Sequence, residues 1–364
     1  MRRLTFMFDA GLDPQAYAER WSRGLVPDRA PYGIENAPPG WTFDVVDVAI
    51  PPVLHHLSQV LGARLGFDIV HAFLNRRKLR CAEVVYCHTE VEYLAAAVVL
   101  LGQRRRRTVL VGHTIWLFRR FGELGRARRH LYRWLLRRVD LFIANAGPNR
   151  ELGVRIAPSS PHHFVPFGVS RVFDRRRMDG GGPDVLGVGN DAARDWDTFS
   201  AAAAQVGGLV RVASKFPVDV AGVNVSRPTS GLAELLDLYG SASVVVVSVL
   251  DNAHASGITT LLEAVAGGAP CVATATGGLE DYFSDDEVSF VPVSDVQATA
   301  ASIRALLGNR AEAEARARRA RARMERDGYW NDDYWKRIVD VVSSLPGAGR
   351  RGSGAGAFRV SRRR

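Results

Sequence analysis

Short apolar runs alternate with longer amphipathic stretches through the first half of the chain. Runs of four to six residues rich in Val, Ile and Phe are typical of strands buried on both faces of a parallel sheet. Several runs end in polar residues where the next helix should begin, as at His88-Thr89-Glu90 and His113-Thr114. This is the βαβ pattern, which places functional side chains at the carboxyl ends of strands. We predict first-half strands over residues 4–8, 43–48, 68–72, 83–87, 108–111 and 140–144.

A second set of strand-like and helix-like segments follows a polar break at residues 175–183. The break contains three arginines, three consecutive glycines and a proline, a composition typical of a linker between domains. Apolar runs beyond it predict strands over residues 185–188, 210–213, 218–220, 244–249, 270–273 and 289–291. We predict helices over residues 232–239, 258–266, 296–307, 311–326 and 329–345.

The length of 364 residues agrees with two domains, because one domain holds about 150 residues. Apolar residues make up 47% of the chain and charged residues 24%, as in ordinary globular proteins. We expect the tail to be disordered because it is rich in Gly, Ser and Arg. The predicted units are a first α/β domain at 1–174, the linker at 175–183, a second α/β domain at 184–328, a C-terminal helix at 329–345 and the tail at 346–364.

The three cysteines and the lengths of the apolar stretches indicate the cellular compartment and whether a structural metal site is expected. The cysteines form no CxxC pair, which argues against a disulfide framework and a structural zinc site. The longest uncharged apolar stretches are about half the ~20 residues that span a membrane. Asp9 and Asp13 interrupt what would be the apolar core of a signal peptide. We therefore expect a cytoplasmic protein without a metal site.

The net charge of +10 is concentrated in two places. Residues 104–138 contain twelve arginines and a single acid, Glu123, and the tail adds six arginines and no acid. The rest of the chain is net acidic, so we expect a local anionic partner and no nucleic acid. Within residues 116–138 apolar and basic residues alternate at helical spacing. Two interpretations stay open: peripheral binding to an anionic membrane, or apolar side chains packed inward beneath solvated arginines.

The most informative stretch for chemistry follows the predicted strand 244–249. Gly257 allows a close backbone approach, and the helix that starts near Ile258 directs free N–H groups toward the preceding loop. Glu263 lies four residues after Thr259, on the same face, where its carboxylate can accept hydrogen bonds from a ribose diol. An ordinary helix start is the alternative. A second glycine loop, with Gly277 and Gly278, is expected to line the same cleft, so the pattern favours a nucleotide site.

Taken together, these segments resemble the donor domain of group 1 (family four) retaining glycosyltransferases. The resemblance rests on residues 232–242, on the run from Ser256 to Glu263 and on the Thr-Gly-Gly-Leu-Glu sequence at 276–280. The segments Val-Pro-Phe-Gly-Val at 165–169 and Val-Gly-Asn at 188–190 agree in order. The resemblance implies the GT-B fold, in which two doubly wound Rossmann-like α/β domains face each other across a cleft, with the acceptor bound by the first and the nucleotide-sugar donor by the second.

The resemblance also implies roles for individual residues. Glu263 would bind the nucleotide ribose, and the family's phosphate-neutralising arginine is replaced by Asn190, which leaves Arg194 as the substitute and Lys215 as a weaker candidate. The family's second glutamate is Ala255 here, so Asn252, His254 or Ser256 would contact the donor sugar. The diphosphate would lie on the backbone of Ser256, Gly257, Ile258 and Thr259. The transferred sugar would lie against His113, and the acceptor near His88 and Glu90. Gly11 would occupy the first loop, where the family often has two glycines.

The implied reaction is transfer of a sugar, with retention, from a nucleotide-activated donor to an acceptor hydroxyl. It needs no cofactor other than the nucleotide-sugar co-substrate. We expect no metal at Asp195-Trp196-Asp197, because acids at a helix start normally act as caps. Two alternatives stay open: a nucleotide-sugar epimerase of the same fold, and a membrane-surface or nucleic-acid-binding module with a degenerate cleft. The base, the sugar and the acceptor are not indicated by the sequence.

Overall fold

The computed structural model contains two six-stranded parallel sheets, each flanked by helices. It confirms the predicted fold class of two Rossmann-like α/β domains. Gly11 and the tail at 346–364 lie outside the described part of the chain. The described residues are 2–9, 12–46, 49–101, 103, 108–175, 177–178, 181–220 and 223–345.

The first sheet is formed by residues before the linker. Its strands are β1 (Arg2–Met7), β2 (Trp41–Val45), β3 (Val84–Cys87), β4 (Val109–His113), β5 (Leu141–Ala144) and β6 (His162–Phe164). Its helices are α1 (Pro14–Ser22), α2 (Pro52–Leu65), α3 (Ile69–Leu74), α4 (Arg76–Cys81), α5 (Glu90–Leu100), α6 (Leu117–Arg120), α7 (Arg126–Leu136) and α8 (Gly147–Ile156). The strand order is β2-β1-β3-β4-β5-β6, and every pairing is parallel. Short 3₁₀ turns occur at Pro31–Gly33, Phe121–Glu123 and Arg171–Phe173.

The second sheet follows the linker and repeats this architecture. Its strands are β7 (Val185–Val188), β8 (Val210–Ala213), β11 (Ser226–Arg227), β12 (Val244–Val247), β13 (Cys271–Thr274) and β14 (Ser289–Val291), while β9 (Asp219–Val220) and β10 (Val223–Asn224) form a separate antiparallel pair. The helices after the linker are α9 (Trp196–Val206), α10 (Leu232–Ser241), α11 (Ile258–Ala266), α12 (Val296–Gly308), α13 (Arg310–Asp327) and α14 (Asn331–Ser343). The sheet order is β11-β8-β7-β12-β13-β14.

One predicted strand is wrong, and another is shorter than predicted. Residues 68–72 lie at the start of helix α3, because the Asp68 side chain accepts a hydrogen bond from the His71 backbone and caps a helix instead. Residues 218–220 contribute only the short strand β9, which does not join the main sheet. The pattern also missed β6 and β11, which lack an apolar run. The predicted cap is confirmed, since Asp195 Oδ1 accepts from the Thr198 backbone at 3.0 Å at the start of α9.

The chain crosses between the two domains twice. The outgoing segment pairs with the returning one, since Val169 N donates to Tyr329 O at 3.1 Å and Asn331 N donates to Val169 O at 3.0 Å. After the return, α14 packs on the first domain, where the Trp335 ring lies 5.1 Å from the ring of Phe6. The last helix therefore belongs to the core of the first domain. In the described part of the chain, no helix is both long enough and apolar enough to span a bilayer.

Candidate active site

The candidate site lies where loops at the carboxyl ends of the two sheets meet. Gly147 N, at the start of α8, donates to Asp281 Oδ2 of the second domain at 2.6 Å. Arg119 Nη2 donates to Asp251 Oδ2 at 2.5 Å across the same boundary. The loops after β12 and β13 of the second sheet therefore face the loops after β4 and β5 of the first.

The loop after β12 is shaped by the side chain of Asn252. Its Oδ1 accepts from the backbone N of His254 at 3.2 Å and of Ser256 at 3.0 Å, and its Nδ2 donates to Leu250 O at 2.9 Å. Asn252 was predicted to contact the donor sugar. Its polar atoms are instead engaged within the loop, where they hold the backbone that leads into α11.

Gly257 connects this loop to α11, which has no side-chain cap at its first turn. Its φ of +86° lies in the left-handed region that favours glycine. A Cβ here would lie 2.5 Å from Val247 Cγ1 and 2.9 Å from Arg194 Nη1. Glycine therefore lets the guanidinium approach the first turn of α11, where Ile258 N donates to Ala255 O at 3.0 Å and the side chain of Thr259 is exposed.

Arg194 is a buried cation with unused donors. It is 9% exposed, and its Nη2 donates to Thr260 Oγ1 at 2.6 Å. Its Nε and Nη1 have no hydrogen-bond partner among the described residues. Burial lowers its pKa, but a guanidinium stays protonated in proteins. Because unpaired donors on a buried charge are costly, this arrangement next to a helix start is suited to an anion.

The other predicted phosphate-side residues, Asn190 and Lys215, are exposed. Asn190 Oδ1 accepts from the backbone N of Lys215 at 2.7 Å, which ties the ends of β7 and β8 together. The amide oxygen is therefore engaged in the protein. The structure places Arg194, rather than either of these two residues, against the start of α11.

Asp191 is a site residue that sequence reasoning missed. It accepts a 2.6 Å hydrogen bond on Oδ2 from Ser256 Oγ, so the predicted sugar-binding hydroxyl of Ser256 is also engaged. Burial raises the pKa of Asp191, but the bonds from Ser256 and the Ala193 backbone outweigh it and lower the pKa overall. His254 differs, because its buried Nε2 has no partner among the described residues. Burial is the main cause that lowers the pKa of His254.

Glu263 lies on α11 and is partly buried beside Tyr239. Its Oε2 accepts a hydrogen bond from Tyr239 Oη at 3.0 Å. Burial raises the pKa of Glu263 from 4.5 to about 7, although the Tyr239 bond and the charge of Arg194 act in the opposite direction. The structure thus holds the Glu263 carboxylate one turn into the helix whose start faces Arg194, and its ribose role stays a prediction.

The second glycine loop packs against its surroundings more closely than predicted. A Cβ at Gly278 would lie 3.1 Å from the Ala255 backbone N and 3.2 Å from Ala146 Cβ in the first domain. The exposed Gly277 donates its N–H to Glu280 Oε2 at 2.8 Å. The second glycine loop therefore packs between the loop after β12 and the first domain. Its Gly277 N–H is already engaged by the Glu280 carboxylate.

The two predicted histidines of the first domain lie together. The rings of His88 and His113 are 5.1 Å apart, and Tyr32 lies 3.9 Å from His88 between ring centres. Burial lowers the pKa of His113 to about 4 and holds that of His88 well below its usual range, so both rings are neutral. Tyr32 has a φ of +58° and was missed, because nothing in its local sequence signals the contact.

Glu90 was predicted on the acceptor side, but its carboxylate is buried and engaged with the protein. It accepts from the backbone N of Ile115 at 3.3 Å and of Trp116 at 3.0 Å. Burial raises its pKa, while these bonds act in the opposite direction. Glu90 therefore shapes the turn that follows His113. The predicted Gly11 contact concerns a residue outside the described ranges.

The chain is similar to known proteins in its second domain and in its overall fold. Residues 195–339 match a family model described as glycosyl transferase-like, and no curated protein matches the chain. A sucrose-phosphate synthase from Thermosynechococcus elongatus is 17% identical, with a TM-score of 0.70 over 94% of this chain and 98% of that one.

Two further structures share the same fold. HepE from Anabaena, in complex with UDP-glucose, is 14% identical, with a TM-score of 0.69 over 95% of this chain and 100% of that one. A trehalose 6-phosphate synthase from Burkholderia multivorans is 13% identical, with a TM-score of 0.62 over 94% and 99%. Residues 195–339 thus resemble a glycosyl transferase-like family, and the chain shares its two-domain GT-B fold with these solved structures.

Proposed function

We propose that the chain transfers a sugar from a nucleotide-sugar donor to an acceptor hydroxyl with retention of the anomeric configuration. The observation that carries the proposal is Arg194, whose free Nε and Nη1 lie beside the uncapped start of α11. Glu263 stands one turn further along the same helix, and HepE, which shares the fold, was solved with UDP-glucose. An anion site next to a ribose-binding carboxylate suits a nucleoside diphosphate.

The diphosphate gains charge as the donor bond breaks, and Arg194 with the N–H groups of α11 stabilises that charge. These donors are held before the reaction begins, so they act without reorganisation in the transition state. The proposal includes no cofactor besides the nucleotide-sugar co-substrate, because Arg194 supplies the positive charge at the diphosphate. His254 offers its unpartnered Nε2 to the donor sugar, in place of the family's glutamate at Ala255.

Retention follows from displacement on the front face of the sugar. The acceptor oxygen forms its bond to the anomeric carbon while the bond from that carbon to the diphosphate oxygen breaks. The departing diphosphate takes the proton of the acceptor hydroxyl, and the free nucleotide leaves. His113 and His88 border the first-domain side of the cleft, where they orient the reacting sugar and the acceptor.

A donor screen followed by product analysis tests this function. Thermal unfolding with a panel of nucleotide sugars should show one donor that raises the melting temperature, because ligand binding stabilises the native state. With that donor and a panel of hydroxyl acceptors, we expect nucleotide release that depends on the acceptor and an NMR coupling constant that shows a retained anomeric centre. Release or isomerisation of the sugar without acceptor supports the epimerase, and an inverted product contradicts retention.

We further propose that the basic surface of α7 binds anionic membranes peripherally. Leu117, Phe118, Phe121 and Leu135 pack inward, as the simpler interpretation predicted. Trp134, however, is 45% exposed on a helix whose outward face also carries arginines. The exposed arginines of this surface are Arg126 and Arg133 on α7, and Arg137 and Arg138 directly after its end.

Sedimentation with vesicles of graded anionic lipid content tests the membrane proposal. Binding should rise with the anionic fraction and fall with salt, since each basic residue near the surface contributes about 1 kcal/mol. Trp134→Ala should weaken binding, whereas Trp21→Ala, which removes a similarly exposed tryptophan from α1, should not. Indifference to lipid charge and salt contradicts the proposal.

A further inference from the structure

Asn145 connects His113 to the outgoing crossing and to the second domain. It follows β5 directly and is buried. Its Oδ1 lies 2.5 Å from His113 Nε2, and its Nδ2 donates to Val165 O at 2.7 Å, where the outgoing crossing begins. Its backbone carbonyl accepts from Tyr282 Oη of the second domain at 2.8 Å. These three hydrogen bonds join Asn145 to three different parts of the fold.

The orientation of the Asn145 amide determines which ring nitrogen of His113 carries hydrogen. A backbone carbonyl only accepts, so the NH₂ group of Asn145 must face Val165 and Oδ1 must face His113. An amide oxygen has no hydrogen to donate, so His113 Nε2 is the donor. Because the ring is neutral, Nδ1 is then without a proton.

Tyr282 ties this arrangement to the second domain. Its Oη donates to Asn145 O and accepts from the backbone N of Phe167 at 2.9 Å. Tyr282 follows the glycine loop of Gly277 and Gly278 by a few residues. The same short chain of bonds thus runs from the donor-side loop through Asn145 to the ring of His113.

We propose that Asn145 is a positioning residue that fixes His113 as the Nε2–H tautomer in a single ring orientation. The placement of His113 at the transferred sugar rests on the function proposed above. The tautomer is a property of the free protein and follows from the hydrogen bonds alone. The partly buried His162 offers an internal reference, because its Nε2 lies 2.9 Å from the Ala157 carbonyl, in a contact to which Asn145 does not contribute.

Histidine ¹⁵N NMR on the full chain without ligand tests the tautomer. We expect wild-type His113 to show a protonated Nε2 and a bare Nδ1. Asn145→Leu, which is similar in size but has no polar atoms, should give mixed tautomers at His113 and leave the His162 signals unchanged. Asn145→Asp keeps an oxygen that accepts from Nε2 but loses the donor to Val165 O, so Nε2 of His113 should stay protonated while the ring is held less firmly. A protonated Nδ1 in the wild type overturns the inference, even if every variant fails to fold.

Kinetics of the same variants separate the inference from the proposed function. If sugar transfer occurs, Asn145→Leu should lower kcat by about tenfold or more with little change in donor KM. The reason is that His113 in the wrong tautomer slows the chemical step more than it weakens donor binding. Asn145→Asp should recover part of the loss. An unchanged kcat alongside a changed tautomer overturns the positioning role. Absence of transfer by the wild type contradicts the proposed function and leaves the tautomer measurement intact.

Discussion

Arg194 donates a hydrogen bond of 2.6 Å from Nη2 to Oγ1 of Thr260, although 66 residues separate them in the chain. The bond pins the guanidinium against the first turn of α11, while Nε and Nη1 have no hydrogen-bond partner in the part of the chain that the structure describes. A preorganised cation of this kind stabilises charge that develops during the reaction more than charge already present in the ground state.

We therefore predict that Arg194→Ala lowers kcat by about 100-fold, the usual effect of removing one preorganised donor, with a smaller change in donor KM. Steady-state kinetics with saturating acceptor measure both constants. Lys215→Ala is the matched control, because Lys215 is exposed and should leave kcat within about twofold. A rise in KM alone would show that Arg194 acts only on the ground state and would make Lys215 the better candidate.

With UDP as the nucleotide probe, chosen because HepE was solved with UDP-glucose, Glu263→Ala should weaken binding at least tenfold while leaving the fold intact. Losing hydrogen bonds to a charged group costs about 1.5 to 3 kcal/mol. Isothermal titration calorimetry gives the dissociation constant, and circular dichroism reports the fold. Asp237→Ala removes an exposed acid from α10 in the same domain and should change neither. If the UDP dissociation constant of Glu263→Ala equals that of the wild type, Glu263 does not bind the ribose.

UDP affinity should rise between about pH 6 and pH 8. The pKa of Glu263 in the free protein is about 7, and the carboxylate accepts ribose hydroxyls best when it is charged. Because burial raises this pKa above its ordinary 4.5, the native state binds more protons than the unfolded state. Stability from this group is therefore full below about pH 4.5 and is lost as pH rises through 7.

Glu263→Gln tests whether titration of Glu263 causes these two pH dependences, because glutamine is of similar size and does not titrate. The variant should show weaker dependence of both UDP affinity and melting temperature on pH. Asp28, whose pKa burial raises to about 6, keeps contributing to the melting temperature in both proteins. An unchanged pH slope of UDP affinity in Glu263→Gln would assign the effect to another group.

Gly257→Ala should destabilise the second domain and reduce UDP binding. The φ of +86° costs an alanine about 1 to 3 kcal/mol, and the added Cβ would meet Val247 and Arg194. Gly308→Ala is the control, because Gly308 ends α12 with no atom within 4 Å of an added Cβ. That change should be neutral or stabilise by up to about 1 kcal/mol. Equal effects in urea unfolding would contradict a special role for Gly257.

The ion pair between Arg119 and Asp251 crosses the domain boundary but should contribute little stability. The side chains are 54% and 65% exposed, and exposed pairs are worth at most about 1 kcal/mol. Asp251→Asn should therefore change the free energy of unfolding by less than that amount, and added salt should reduce the difference. A loss above about 2 kcal/mol in urea unfolding would show that the pair is a main domain contact.

The hydrophobic pattern predicted most helices and strands correctly. It failed where a hydrogen bond between a side chain and the nearby backbone favoured another element. The run at 68–72 has the composition of a strand, yet the Asp68 carboxylate caps a helix start and α3 forms instead. The bounds of α11 were predicted as observed, because glycine, an apolar stripe and a preceding strand agree there. Strand β6 carries two histidines and was missed, since its identity depends on pairing with β5 rather than on its own residues.

The sequence by itself determined the two-domain α/β architecture and the donor loop with Gly257 and Glu263, because backbone conformation, helix dipoles and buried strands depend on local residue types and spacing. Only the tertiary structure decided which polar groups are free. Asn252 and Glu90 are engaged with backbone groups, whereas Nε and Nη1 of Arg194 find no partner among the residues that the structure describes. Pairing across the fold depends on side chains distant in sequence, and no local pattern records which donors and acceptors meet.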